Sequence, residues 1–220
     1  MKADTIDETL SPLIEEMGFF QVTGGRWKQW LNGEVFAGLL VSEIKYVPAG
    51  MRKAEVIFSL SVAAIDEFRN WKGPGSWKLR YAHPSFSKKL TDTFPEGKLW
   101  EPEISPAVNR ESMFRTFEKL MVGRILPFAE THQTPEKVKS LVLGIGGVVA
   151  FEYCYAEIAL GSGVVSARKS ARKIALQCGV SLARMDAFLQ ERESMKDSDL
   201  DEIRARVEKL RERPGIRKRR

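Results

Sequence analysis

In residues 5–17, TIDETLSPLIEEM, Ile6, Leu10, Leu13, Ile14 and Met17 fall on one helical stripe, and acids in the first turn complement the helix dipole. This predicts a helix, with Pro12 as a point of division and Gly18 as its C′ stop. The period then changes. In GRWKQWLNGEVFAGLLVSEI, Asn32-Gly33 lies between two apolar runs, the strongest short signal for a β-hairpin. A two-residue type I′ turn there pairs Leu31 with Glu34 and Trp30 with Val35. KAEVIFSLSVAAI alternates, with Val56, Phe58, Leu60 and Val62 on one face and Glu55, Ile57, Ser59 and Ser61 on the other. SWKLRYA, after a loop at Gly73-Pro74-Gly75, is the expected fourth strand. Together these segments predict an antiparallel meander with one buried face.

Residues 82–108 carry Pro84, Pro95, Pro102 and Pro106 and show no period, an unusually long connection for a compact domain. Beyond them the spacing is helical. Asn109 or Ser105 starts a helix in which Phe114, Phe117, Met121 and Ile125 recur, ending near Pro127. TPEKVKSLVLG supplies Thr134 as N-cap, Pro135 at the first helical position and Glu136 in the first turn. Gly144 is then the expected C′ residue, and Gly146-Gly147 the turn into the next helix. These glycines do not form a phosphate loop. The dinucleotide fingerprint needs a preceding strand and a third glycine where Val149 stands, and a P-loop needs Lys and Ser or Thr where Val148 and Val149 stand.

Helices are expected over 148–160 and 164–178, broken by Gly161-Ser162-Gly163, with Gly161 closing the first. Ala156, Ala159, Ala167, Ala171 and Ala175 let the pair approach closely. Residues 182–212 read as one long charged helix with Leu200, Ile203, Val207 and Leu210 as an apolar seam and Glu202–Arg206 as an i,i+4 pair. Pro214-Gly215 ends it. The fold class expected is α+β: an N-terminal helix and an antiparallel sheet of about four strands within 1–131, followed by a helical region over 132–220.

The order of these parts is similar to an uncharacterised bacterial domain-of-unknown-function family, number 4304. The likeness rests on a first helix ending EEMGFF, then RWKQW, EVIFSLSV, ILPFAE and TPEKVKSLVLG. FEYCYAEIALGSGVVSARKSARKIA resembles the helical pair that often closes such proteins, itself like a single tetratricopeptide unit. The resemblance covers about residues 5–178. It implies an α+β fold and no established activity, so no catalytic residue is carried over. Some relatives stand beside toxin systems, which implies an immunity or inhibitor role by association alone.

Composition narrows the chemistry. The N-terminus has no apolar run after Lys2, so it does not read as a signal peptide, and Glu152 and Glu157 interrupt the most apolar window, 141–165. The expected location is the cytoplasm, without membrane contact. Cys154 and Cys178 lie in apolar helical patterns and read as reduced, buried thiols. With His83 and His132 they are too few and scattered for a zinc site, so neither metal nor cofactor is expected. A nucleophile–base pair is sought first at His83, in YAHPSF near Ser85, and at His132. Glu101 and Glu103 form a carboxylate pair on the proline-bearing connection and read as solvated loop charges.

The formal net charge of +6 is concentrated. Arg168, Lys169, Arg172 and Lys173 stand at i,i+4 spacing on one helix face, and no acid occurs between 158 and 185. Arg217, Lys218, Arg219 and Arg220 end the chain. Both clusters are candidate contacts for nucleic acid or an acidic partner, although charge runs are most often solvated. In RWKQWL, Arg26, Lys28 and Trp30 share a face, and Trp30 is a candidate aromatic contact. The function expected is a non-catalytic cytoplasmic binding protein whose partner is another protein, or a second copy through the 182–212 helix. An accessory nucleic-acid binder is the alternative, and a hydrolase around His83 comes last. A nuclease-toxin inhibitor would be acidic, so the +6 charge counts against that form of immunity.

Overall fold

The computed structural model describes residues 6–43, 52–71, 73, 84–89, 103–104 and 110–212. The fold is α+β. Helix α1 (Ile6–Glu16) precedes strands β1 (Phe20–Thr23), β2 (Arg26–Trp30), β3 (Val35–Glu43) and β4 (Arg52–Val62), then helix α2 (Ala63–Arg69) and strand β5 (Phe86–Lys89). The five strands form an antiparallel sheet in sequential order, and the short β6 (Glu103–Ile104) pairs with the start of β4. The helical part holds α3 (Arg110–Leu120), a π-helical turn (Met121–Ile125), α4 (Leu126–Thr131), α5 (Pro135–Ile145), α6 (Gly147–Ser162), α7 (Val164–Gln177), α8 (Leu182–Glu191) and α9 (Asp197–Arg211). The expected strand SWKLRYA lies outside the described residues.

One face of the sheet is the apolar alternation made solid. Trp27, Ala37, Leu39, Val41, Val56, Phe58, Leu60, Val62 and Phe86 are buried on it. The α1 stripe of Ile6, Leu10 and Ile14 covers part of this face. Phe128 of α4 covers another, edge-on to Phe58 with ring centroids 6.0 Å apart. Asp7 fastens α1 to the sheet by accepting from the Trp27 indole Nε1 at 2.8 Å and from the Gly25 amide at 2.9 Å. Hydrogen bonds to a charged acceptor contribute more than neutral ones, so Asp7→Ala is expected to cost about 2 kcal/mol. A urea midpoint lowered at unchanged slope checks this, and a change below about 0.5 kcal/mol contradicts it.

Several local expectations are corrected. The β2–β3 register is one residue away from the expected type I′ pairing: Trp30 faces Phe36, and Leu31 donates its amide to the Val35 carbonyl at 2.9 Å. Asn32 causes this. Its Oδ1 accepts from the amides of Glu34 and Val35, each at 2.7 Å, while its Nδ2 donates to the Gln133 carbonyl. A one-residue slip exchanges the faces of a strand, so Phe36 rather than Val35 joins Trp30. Pro12 does not divide α1, where the Ser11 hydroxyl donates to the Asp7 carbonyl at 2.7 Å in the disturbed turn. Pro127 does not end its helix either. The π-helical turn before it widens the backbone where a proline ring would clash with an α-helical carbonyl.

Alternation also ends earlier than expected. Ala63 begins α2, and Ile65 and Phe68 bury at helical rather than strand spacing. Thr134 caps α5 as predicted, accepting from the Lys137 amide, but α5 runs through Gly144 to Ile145. Gly146 and Gly147, at φ +70° and +63°, then make the turn, a left-handed conformation that favours glycine. Gly161 likewise lies inside α6, and Gly163 closes it. The five alanines are all buried between α6 and α7.

The long 182–212 helix is two helices. Arg192 turns inward, is only 3% exposed, and donates to the Arg69 carbonyl at 2.9 Å and the Phe188 carbonyl at 3.3 Å. Asp199 accepts from the Lys196 amide at 2.8 Å and so restarts the chain as α9. The seam residues Leu200, Ile203 and Val207 are buried against the body, where α9 packs on α2, and Arg206 reaches Glu67 at 3.1 Å. That seam is not free to join a second copy.

Candidate functional site

Helix α7 stands at the outside of the helical region, packed on α6 and α8 through Ala167, Ala171 and Ala175. Its opposite side is set by spacing. Val165, Lys169, Arg172 and Leu176, at i, i+4, i+7 and i+11, form one stripe along the helix. Lys169, Arg172 and Lys173 are exposed, and among the described residues no hydrogen bond or ion pair engages them. Val165 is 60% and Leu176 70% exposed. Large apolar side chains in such positions mark surfaces that work with a partner when they cluster. The Gly147 amide donates to the Cys178 carbonyl at 2.8 Å, which joins the turn after α5 to the end of α7, and Leu143 and Ile145 near the end of α5 are also exposed. Leu182, also exposed, follows at the start of α8.

Arg168 belongs to a different structure from its three neighbours. Its Nη2 donates to the carbonyls of Arg192 at 2.9 Å, Glu193 at 2.6 Å and Met195 at 3.4 Å. It therefore satisfies the carbonyls left open after α8, a capping role for a cation at a helix C-terminus. The stripe of four exposed cations thus separates into one arginine held by backbone carbonyls and three with no partner among the described residues. Arg217, Lys218, Arg219 and Arg220 lie outside the described residues, as do His83 and Glu101; of Glu103 only the β6 backbone is described. His132 donates from Nδ1 to the Phe128 carbonyl at 2.8 Å and lies 4.2 Å from that ring.

Trp30 is half-buried. Phe36 meets it edge-on at 5.6 Å, and Ala64 and Val207 complete a small satellite core. Its neighbour Lys28 sets its ammonium 3.9 Å over the Phe36 ring. Burial lowers the Lys28 pKa, and the negative charges of Asp66 and Glu67 oppose that shift. The Trp30–Phe36 end of this side of the sheet, the side that sequence alternation marks as polar, is thus covered by α2 and α9.

A buried polar cluster missed at the sequence level lies under α2. Asp66 is 2% exposed and accepts from the Ser85 hydroxyl at 2.8 Å, and the Ser61 hydroxyl is buried with it. Burial pushes the Asp66 carboxyl up to about 6, against the opposing pull of the Ser61 hydroxyl, Arg69, Lys28 and the Ser85 hydroxyl. Arg69 meets Glu152 of α6 at 2.9 Å and donates to the Pro84 carbonyl at 3.1 Å. Glu67 holds Arg206, and the Arg69 carbonyl holds Arg192. Helix α2 therefore ties the sheet to α6, α8 and α9. The available signal was SLSVAAIDEF, where serines at period two precede an acid flanked by apolar residues.

Cys154 and Cys178 are free thiols and half-buried. Burial raises Cys154 to about 11, with the Cys178 sulfur adding to the shift, so the site keeps it protonated. Among the described residues no three His, Cys, Asp or Glu side chains converge as a metal site requires, and no helix is long and apolar enough to cross a membrane. Comparison of the chain with protein-family models, with curated proteins and with solved structures finds no match.

Proposed function

We propose that this chain is a non-catalytic cytoplasmic binding protein and that the outer side of α7 docks an acidic protein surface. One observation carries the reading. Three exposed cations, Lys169, Arg172 and Lys173, stand between two exposed apolar residues, Val165 and Leu176, on a rigid helix. A surface of this kind fits a helix whose apolar positions meet the two ends while its carboxylates meet the middle. The resemblance to family 4304, with the toxin-associated setting it implies, is part of the same proposal. It is supported by the order of first helix, antiparallel strands and helical region.

The nucleic-acid reading is supported by the same cations, and the exposed Val165 and Leu176 on the same stripe weigh against it, because phosphate contacts make no use of such side chains. The test titrates three fluorescent probes: a synthetic amphipathic helix bearing leucines and glutamates, duplex DNA, and single-stranded RNA. The peptide is expected to bind the wild type and to lose at least roughly tenfold in affinity on Lys169→Glu/Arg172→Glu/Lys173→Glu, the scale of one or two lost charge contacts. Nucleic acid binding more tightly than the peptide, and weakening steeply with salt, overturns the protein-partner reading. Failure of all three probes to bind overturns α7 as a docking face.

A further inference from the structure

The molecule carries a second, oppositely charged surface. A groove of about 340 Å³ runs between α1 and the continuous α3–α4 helix, lined by Leu13, Val122 and Leu126 and rimmed by Glu16, Glu118 and Glu130. Val122 is 56% exposed although Phe117, Met121 and Ile125 of the same helix are fully buried. Glu118 stands one turn before Val122, as Arg172 stands one turn before Leu176. The two surfaces thus share a pattern with the signs reversed.

We propose that the groove takes the α7 face of a second copy of this chain, with Leu176 seated on Val122 and Leu126 and with Arg172 and Lys173 against Glu118 and Glu16. This rests on the reading of α7 as a docking face and names the acidic surface it meets. The contact must be between copies. Helix α7 is anchored by Ala167, Ala171 and Ala175, and the groove helix by Phe117, Met121 and Ile125, so neither surface can swing to meet the other within one chain. Joining two different patches closes as a reciprocal dimer or a ring where the rotation permits and otherwise propagates head to tail. The net +6 charge repels copies at long range, but at about 0.1 M salt that repulsion is screened beyond roughly 10 Å while the contact pairs persist.

Sedimentation velocity of the full chain tests this. In about 0.1 M salt, the wild type is expected to show a mass that rises with concentration up to about 1 mM, the weak end of the affinity scale, and to return to monomer in about 1 M salt. Glu16→Lys/Glu118→Lys and Arg172→Glu/Lys173→Glu should each be monomeric alone, with unchanged circular dichroism, and should associate when mixed. A wild type that stays monomeric throughout overturns the proposal, as does a groove variant that associates like the wild type. A monomeric wild type that still binds the acidic peptide sinks self-association alone. If that peptide also fails, the α7 reading falls with it.

Discussion

Replacing Asp66 by Asn is expected to stabilise the protein at neutral pH and to leave it nearly unchanged near pH 4. Burial raises the native carboxyl to about 6 from 3.8, so the folded chain holds this proton over a range in which the unfolded chain has lost it. The stability linked to the group is fully present below the unfolded pKa and falls as pH rises from about 4 through about 6. The span corresponds to about 3 kcal/mol at 1.36 kcal/mol for each factor of ten in proton affinity. The charges that face Asp66, Arg69 on its own helix and Lys28 from β2, already oppose the shift, so the cost stands after their attraction. Asn keeps the shape, accepts from Ser85 as Asp66 does, and never ionises. Urea unfolding of both proteins between pH 4 and 7.5 reads the difference. Parallel curves, or an Asn variant that is weaker at pH 7.5, would show that the carboxylate is held favourably by Lys28 and Arg69.

Gly25→Ala is expected to cost about 3 kcal/mol or more, from strain and overpacking together. Gly25 sits at φ +69°, and an added Cβ would overlap the backbone carbonyl oxygen of Val41. That strand cannot yield, because the Val41 amide donates to the Gly25 carbonyl at 2.7 Å and the Gly25 amide is held by Asp7. Gly24→Ala is the control: a Cβ there meets nothing within 4 Å, so its effect should stay within about 0.5 kcal/mol. Thermal or urea unfolding of the two variants compares them directly. A Gly25 variant within about 1 kcal/mol of the Gly24 variant would mean that the β1–β2 turn can relax away from β3.

Elements with strong periodicity were legible in the sequence. Ile6, Leu10 and Ile14 predicted α1, the alternation through Val56, Phe58, Leu60 and Val62 predicted β4, and Thr134-Pro135 predicted the start of α5. Expectations failed where a distant group intervened. Asn32 reads locally as a type I′ turn, but its bonds to Glu34, Val35 and Gln133 set a different register. The charged run after residue 182 reads as one helix, yet Arg192 breaks it by reaching Arg69, more than a hundred residues away.

The candidate site shows the same division. The i,i+4 spacing in ARKSARK placed four cations on one side of a helix, and the alanines fixed which side is buried. Spacing could not show that Arg168 binds the carbonyls after α8 while Lys169, Arg172 and Lys173 have no partner among the described residues, because those carbonyls lie 24 or more residues on. Nor could it join the turn after α5 to the end of α7, or set Asp66 against Ser85. Sequence by itself determined the local conformations, the buried side of each helix and the sign of each cluster, since those depend on neighbours within a turn or two. Tertiary structure alone decided which charges are consumed and which acid is desolvated, since burial and pairing depend on what the rest of the chain brings alongside.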